Sequence, residues 1–285
     1  MNLLVPAAEV GHEGITPSRA GWSYTGMRLV SLDHGSSVLL DLQDQEAAVV
    51  PLTGSFQLNL DGGGTWALAG RSSVFAGPTD ILYLPPTTKG ELVAESEGEL
   101  ALCTSVAFRP GLPMYRGAQE VAVEIRGSGP ATRRINQLLP AEVDGPERLI
   151  VVEVITPDGN WSSYPPHKHD QLSETECPLE EIYYFRFDRP GAFGLHATYT
   201  DDRAIDQAVM VRHGDVFLVP RGYHGPCAAA PGYPMYYLNA MAGPGPRAWQ
   251  ITTDPDHAWL WDRWIREDPD PRLGGVETNG KELKQ

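Results

Sequence analysis

Two histidines one residue apart, His167 and His169, open the part of the chain with the most chemistry in it. They stand in Pro165-Pro166-His167-Lys168-His169-Asp170. On a strand, residues i and i+2 share a face, so both imidazoles reach one cation while Lys168 points away. Carboxylates follow at Glu174, Glu176, Glu180 and Glu181, and a third histidine, His224, lies in Pro220-Arg-Gly-Tyr-His-Gly225 directly after a strand-like run. Three imidazoles and one carboxylate make a mixed N/O donor set suited to Zn, Mn, Fe, Co or Ni, with one or two positions open for a substrate. Spacing leaves the carboxylate open. Glu174 lies five residues after His169, whereas Glu181 begins an apolar strand. Arg221 and Tyr223 flank His224, and a guanidinium there suits a substrate carboxylate. Tyr183, Tyr199 and Tyr236 are expected to serve as proton donors or as packing.

Short strands must position these side chains. The chain has 30 Gly and 25 Pro among 285 residues, and they fall between strand-length apolar runs. These runs are 37–42 (SVLLDL), 55–60 (SFQLNL), 80–84 (DILYL), 149–155 (LIVVEVI), 181–187 (EIYYFRF), 215–219 (DVFLV) and 235–239 (MYYLN). The pattern predicts an all-β sandwich or barrel. A helix is expected over 255–265, with Asp254 as N-cap and Pro255 at the first helical position, and a weaker one over 131–139. Trp259, Trp261 and Trp264 then form a face that docks the helix on the strands. Residues 267–285 read as an exposed tail.

An internal repeat divides the chain. Asp80-Ile-Leu-Tyr-Leu-Pro85 reads against Asp215-Val-Phe-Leu-Val-Pro220, and Gly90 against Gly225, both at an offset of 135 residues. Two copies of one β-domain are expected, over 1–143 and 144–252, followed by a helix and tail over 253–285. At that offset Leu32 faces His167, His34 faces His169, Glu46 faces Glu181 and Lys89 faces His224. A leucine and a lysine are not neutral nitrogen donors. The first copy is therefore expected to hold no metal and to serve as cover and assembly surface.

Composition narrows the function classes. Apolar residues make up 41% and charged residues 21%, which is ordinary globular usage. No apolar run approaches the ~18–20 residues of a membrane helix, and the N-terminus lacks the basic and apolar regions of a secretory signal. The net charge of −15 repels phosphate backbones and anionic membranes, so neither nucleic acid nor membrane is an expected partner. Cys103, Cys177 and Cys227 form no CxxC and are expected as buried free thiols in a reducing cytoplasm.

The motifs PPHKHD, EEIYYFRF, GDVFLVPRGYHGP and YYLNAMAG, in that order, resemble the 5-deoxy-glucuronate isomerases of bacterial inositol catabolism. That family is related to the 4-deoxy-threo-hexosulose-uronate ketol-isomerases of pectin breakdown. The resemblance is strongest over 148–262. It implies a bicupin, with two double-stranded β-helix (jelly-roll) barrels and the metal in the second. It implies one divalent ion per chain, Zn or Mn foremost, a small sugar-acid substrate and a homo-oligomer. The implied reaction is an aldose–ketose shift from 5-deoxy-D-glucuronate to 5-dehydro-2-deoxy-D-gluconate. The related ketol-isomerases carry their carboxylate ligand at the start of a similar strand. This favours Glu181 beside His167, His169 and His224, with Glu174 as the alternative and Tyr183 and Arg221 as catalytic candidates. Two other classes stay open: an Fe(II) cupin dioxygenase and a non-catalytic sugar-acid-binding protein.

Overall fold

A computed structural model describes residues 2–273 of the chain. It is nearly all strand, arranged as three antiparallel sheets. The first half winds an eight-stranded sheet around a core that includes Leu58, Leu68, Leu82, Leu92 and Leu100. In the second half, a seven-stranded sheet runs in the order Leu4–Val5, Val216–Val219, Glu180–Phe187, Met235–Ala242, Ile150–Thr156, Arg133–Leu139, Ala122–Arg126. A six-stranded sheet built on Phe193–Tyr199, Asp206–Arg212 and Tyr223–Ala229 completes this barrel, and it also holds the short His167–Lys168 and Thr252–Thr253 strands.

Period-two alternation explains the near-continuous apolar runs. Tyr183 and Phe185 enter the core of the second barrel with Phe217, Val219 and Tyr237. Their neighbours Ile182 and Tyr184 face the other way and pack with Val50, Leu52, Tyr83 and Ala101 of the first half. The strand Glu180–Phe187 is thus buried on both faces, and the apolar layer between the halves is as deeply buried as either barrel core. A buried ion pair crosses this layer. Arg71 donates to both carboxylate oxygens of Glu153 at 2.9 and 2.7 Å, and the Tyr236 hydroxyl donates to the same group at 2.9 Å.

Four expectations need correction. Residues 131–139 are not helical; they form the strand Arg133–Leu139, paired with Ala122–Arg126 and Ile150–Thr156. The register shifts between Asn136 and Leu139, so Ile135 enters the barrel core while Leu138 and Leu139 enter the layer between the halves. Apolar residues at 135, 138 and 139 therefore imitate a helical face. Strand pairing also crosses the expected boundary at 143/144, because residues 122–139 join the second half's sheet and Leu4–Val5 joins its far edge. The helix covers only Trp259–Trp264. Trp261 Nε1 donates to Thr253 Oγ1 at 3.1 Å and the Trp264 ring lies 5.4 Å from the Arg133 guanidinium, while Trp259 stays exposed. The start of the expected tail is docked: Asp270 is buried, its N–H donates to Thr132 Oγ1, and its carboxylate accepts from Asn160. The rest of that expected tail, 274–285, lies outside the described residues. All three cysteines are free and buried. Among the described residues, no helix is long and apolar enough to cross a membrane.

Candidate metal centre

Three strands and one loop bring the histidines and Glu181 together. Glu181 points inward from the second residue of Glu180–Phe187, on the face of Tyr183 and Phe185. His224 lies on Tyr223–Ala229, with its Cα paired to His167 on one side and Thr198 on the other. The residue after it must be glycine. Gly225 has φ +86°, and a Cβ there would lie 1.7 Å from the Ser163 carbonyl oxygen, so only glycine lets the two backbones approach this closely.

The loop between His169 and Glu181 is anchored by Glu176. Its carboxylate accepts from Lys168 Nζ at 3.0 and 2.9 Å, from the N–H groups of Asp170 and Gln171, and from the Thr252 hydroxyl. Lys168 thus faces away from the imidazoles, as strand alternation requires, and also donates to Asp170 at 2.8 Å. Asp170 in turn accepts from the Gly222 N–H at 2.8 Å, which ties the His169 loop to the His224 turn.

The geometry at the centre is tight. Glu181 Oε2 lies 3.1 Å from His169 Nε2 and 3.0 Å from His224 Nε2, and one ligand atom from each residue falls within 4.8 Å of the others. All three residues are buried. Each imidazole turns its other nitrogen toward a carbonyl oxygen: His169 Nδ1 to Leu179 at 3.0 Å, His224 Nδ1 to Gly222 at 3.1 Å and His167 Nδ1 to Pro165 at 3.3 Å. A carbonyl oxygen only accepts, so Nδ1 carries the hydrogen, and a neutral ring then presents a lone pair at Nε2. Both Nε2 atoms converge on one buried carboxylate oxygen, and they share it without repulsion only where a proton, as in the His169–Glu181 hydrogen bond, or a cation lies among them. His224 Nε2 makes no hydrogen bond in this arrangement despite its 3.0 Å approach. Ligands at ~2.1 Å from a divalent ion and at right angles to one another are themselves ~3.0 Å apart. The donor set and its spacing fit such an ion.

The electrostatics follow from burial and this crowding. Burial alone would raise the Glu181 carboxyl, but His224 and His169 outweigh it and hold the group well below the ordinary carboxylate range. Burial would lower His169, yet its bond to Glu181 prevails and raises it. His167 is pushed well below the ordinary histidine value, by burial first and then by the neighbouring rings of His224 and His169. Its ring centroid is 4.5 Å from that of His224 and 6.3 Å from that of His169, so it flanks the tight group of three rather than joining it.

The remaining candidates separate clearly. Tyr183 is buried beside the centre, with its ring 6.2 Å from His224 and its hydroxyl 3.1 Å from Ser163 Oγ. Ser163 Oγ is also 3.1 Å from the Tyr237 hydroxyl, giving a buried chain of three hydroxyls. Burial and then the charge of Glu181 push the Tyr183 phenol well above its ordinary value, which keeps it protonated. Glu174 is exposed and stays out of the cluster. Arg221 is exposed too, and lines an outer cleft of about 230 Å³ with Asp201 and Asp202. Tyr199 bonds to Asp254 and Tyr236 to Glu153, so both are structural. Glu180 stays outside the cluster and accepts from the N–H groups of Ser23, Tyr24 and Thr25.

Sequence reasoning missed Ser163, Tyr237, His196 and Trp249. Trp249 lies 5.7 Å from the His169 ring and 6.0 Å from the His167 ring. His196 Nδ1 lies 2.9 Å from Cys227 Sγ inside the barrel. Tyr237 lies beside Tyr236 on an already recognised strand, where alternation sends the two to opposite faces without saying which one enters the barrel. Nothing in the local pattern marks Trp249.

A family model described as KduI/IolB matches residues 3–260. The 5-deoxy-glucuronate isomerase of Geobacillus kaustophilus is 42% identical over 271 residues, covering 90% of this chain and 95% of that protein. The enzyme of the same name from Bacillus subtilis is 40% identical over 256 residues, covering 88% and 93%. The crystal structure of an IolB-like protein from Salmonella typhimurium superposes with a TM-score of 0.86 at 38% identity, covering 91% of this chain and 99% of that one. Oxalate decarboxylase of Bacillus subtilis gives a TM-score of 0.63 at 12% identity, covering 99% and 85%, a likeness of fold alone.

Proposed function

The chain belongs to the KduI/IolB family, and from that membership we propose that it is a metal-dependent aldose–ketose isomerase converting 5-deoxy-D-glucuronate to 5-dehydro-2-deoxy-D-gluconate in myo-inositol catabolism. The observation that carries this reading is the convergence of His169 and His224 Nε2 on one oxygen of buried Glu181, in a chain alike over nearly its whole length to enzymes of that name.

In this reading His169, Glu181 and His224 hold one divalent ion, Zn or Mn foremost, with His167 at its edge. When bound, the ion supplies Lewis-acid stabilisation of negative charge developing on the sugar oxygens, worth several kcal/mol. The reaction moves a proton between C2 and C1. Tyr183, held protonated, donates a hydrogen bond from its phenol O–H to the substrate oxygen on which negative charge develops, and Ser163 and Tyr237 orient that hydroxyl. Trp249 shields the imidazoles and keeps bulk water from the reacting carbons.

The first barrel takes the part of a metal-free scaffold. Two strand pairings support this. In the second barrel Val219 pairs with Glu181, and in the first the matching Leu84 pairs with Ala47, which has no ligand atom. A cytoplasmic homo-oligomer completes the proposal, in keeping with three unpaired thiols, and sedimentation at a multiple of 31.1 kDa checks the assembly.

Incubation of the purified protein with 5-deoxy-D-glucuronate, followed by proton NMR, tests the reaction. Appearance of the ketose without oxygen uptake supports an isomerase. Oxygen consumption would establish the dioxygenase class instead, and binding without turnover the sugar-acid-binding class.

A further inference from the structure

We infer that Arg133 is the specificity residue of this site and receives the substrate carboxylate. The inference rests on the sugar-acid reading above and adds the group that selects for the acid.

Three arginines are buried among the described residues: Arg71, Arg133 and Arg186. Two have a carboxylate. Arg71 is paired with Glu153 at 2.7 Å and Arg186 with Glu99 at 2.6 Å. Arg133 is 4% exposed and makes no ion pair with any described residue. Its Nη1 donates to the Ala131 carbonyl at 3.2 Å, and the Trp264 ring lies 5.4 Å from its guanidinium carbon. Glu124, whose charge it feels, is already held by Arg126 through bonds of 2.7 and 2.8 Å. Arg126 stands directly opposite Arg133 in the sheet and adds repulsion. A buried guanidinium without an anion is costly, and folds normally provide one. Here burial, and next the charge of Arg126, press its pKa down to about 10, which still leaves it charged at neutral pH.

Its position points the same way. Arg133 shares a strand face with Ile135, which packs in the core with Tyr183 and Tyr237. The Tyr183 ring is 6.2 Å from His224, and Tyr183 and Tyr237 are joined through Ser163 Oγ. The phenols of Tyr237 and Tyr183 act electrostatically on Arg133, so the imidazole cluster, the hydroxyl chain and the guanidinium all border the interior of this barrel. A sugar acid laid along it places its carbonyl end at the imidazoles and its carboxylate at Arg133, where a planar guanidinium bonds both oxygens. Arg221, the expected clamp, faces an outer cleft beside Asp201 and Asp202 and has no such access.

Steady-state kinetics of Arg133→Met and Arg133→Lys test this with two substrates: the deoxy-uronate and the neutral sugar bearing a hydroxymethyl group in place of the carboxylate. Wild type should favour the acid. Arg133→Met should raise KM for the acid roughly 10- to 100-fold, leave kinetics on the neutral sugar nearly unchanged, and keep its metal content. A wild-type acid-to-neutral ratio in that variant overturns the inference. If Arg133→Met does not fold, the same ratio in Arg133→Lys decides, since lysine keeps the charge and loses the two-oxygen geometry. Calorimetric titration with D-gluconate gives a second readout that does not depend on turnover. Binding by wild type that is lost in the variant supports the assignment. Equal binding, or none by wild type, contradicts it. Absence of turnover by wild type with gluconate binding intact would remove the isomerase reading and leave this one standing.

Discussion

Glu46 and Glu180 make the same connection in opposite directions. The Glu46 carboxylate, on the first half, accepts from the backbone N–H groups of Glu147, Arg148 and Leu149, each at 2.7 Å. The Glu180 carboxylate, on the second, accepts from those of Ser23, Tyr24 and Thr25 at 2.7, 2.8 and 2.9 Å. Each clamps three consecutive amides as the other half's chain enters a strand, Ile150–Thr156 in one case and Thr25–Leu32 in the other. The two halves are thus related as a pseudo-symmetric pair, and Glu46 is the counterpart of Glu180. The site carboxylate Glu181 has Ala47 as its counterpart.

Glu181→Gln should lose most of its bound metal, because an amide oxygen carries no charge to balance the ion, while Glu174→Gln and Lys89→Ala should keep about one equivalent per chain. Metal analysis after gel filtration reads this. Greater loss from Glu174→Gln would move the ligand to the loop.

This choice shows how much of the site was legible in the sequence. The His167/His169 spacing, the strand starting at Glu181 and the turn holding His224 were all visible as local patterns, because strand alternation is a local rule. The 135-residue offset was also visible, but it paired Glu46 with Glu181, one position out of register. Side-chain direction changes with every residue along a strand, so a shift of one exchanges the carboxylate of the imidazole cluster for a clamp. The strand at Arg133–Leu139 was hidden for a related reason. Its apolar residues serve two cores across a register irregularity, and the resulting spacing is that of a helix. Arg133 was lost with it.

Tyr183→Phe should lower kcat by about 10²-fold or more, with KM and metal content close to wild type, because it removes one positioned proton donor and little volume. Rate measurements at saturating substrate check this. An unchanged kcat would leave Tyr183 as packing against His196 and His224.

The metal-free protein should lose stability on acidification from about pH 6.5 downward. Burial pushes His196 down to about 3 and His167 well below the ordinary histidine value, so both stay neutral in the fold and gain protons on unfolding. The unfolded chain then binds more protons, and each group contributes a slope of up to roughly 1.4 kcal/mol per pH unit over that window. Glu181, with its lowered value, adds to the loss once pH falls below the unfolded carboxylate range. His169, raised by Glu181, acts in the opposite sense: its contribution is full at low pH and fades as pH rises through its folded value. Two lowered histidines outweigh one raised. Thermal melts of the chelated protein from pH 7 to 5 should fall, and less steeply for His196→Asn. An equal slope in that variant would show that His196 does not titrate on unfolding.

Turnover in deuterium oxide should place deuterium at C1 of the product. A proton taken from C2 resides on a protein group that exchanges with solvent before delivery. Mass spectrometry of the ketose reads the increment. Substantial label excludes a direct hydride shift, and a product without label contradicts an exchanging carrier.

The most direct test of the account is the rate of 5-deoxy-D-glucuronate isomerisation by one protein sample, before chelation, after exhaustive chelation, and after return of one equivalent of Zn or Mn. Ketose formation should fall to background on chelation and recover on addition of the ion, while His169→Ala, which removes one imidazole of the buried cluster, should stay inactive throughout. Undiminished turnover by the metal-free protein would contradict the claim that His169, Glu181 and His224 work by holding a divalent ion.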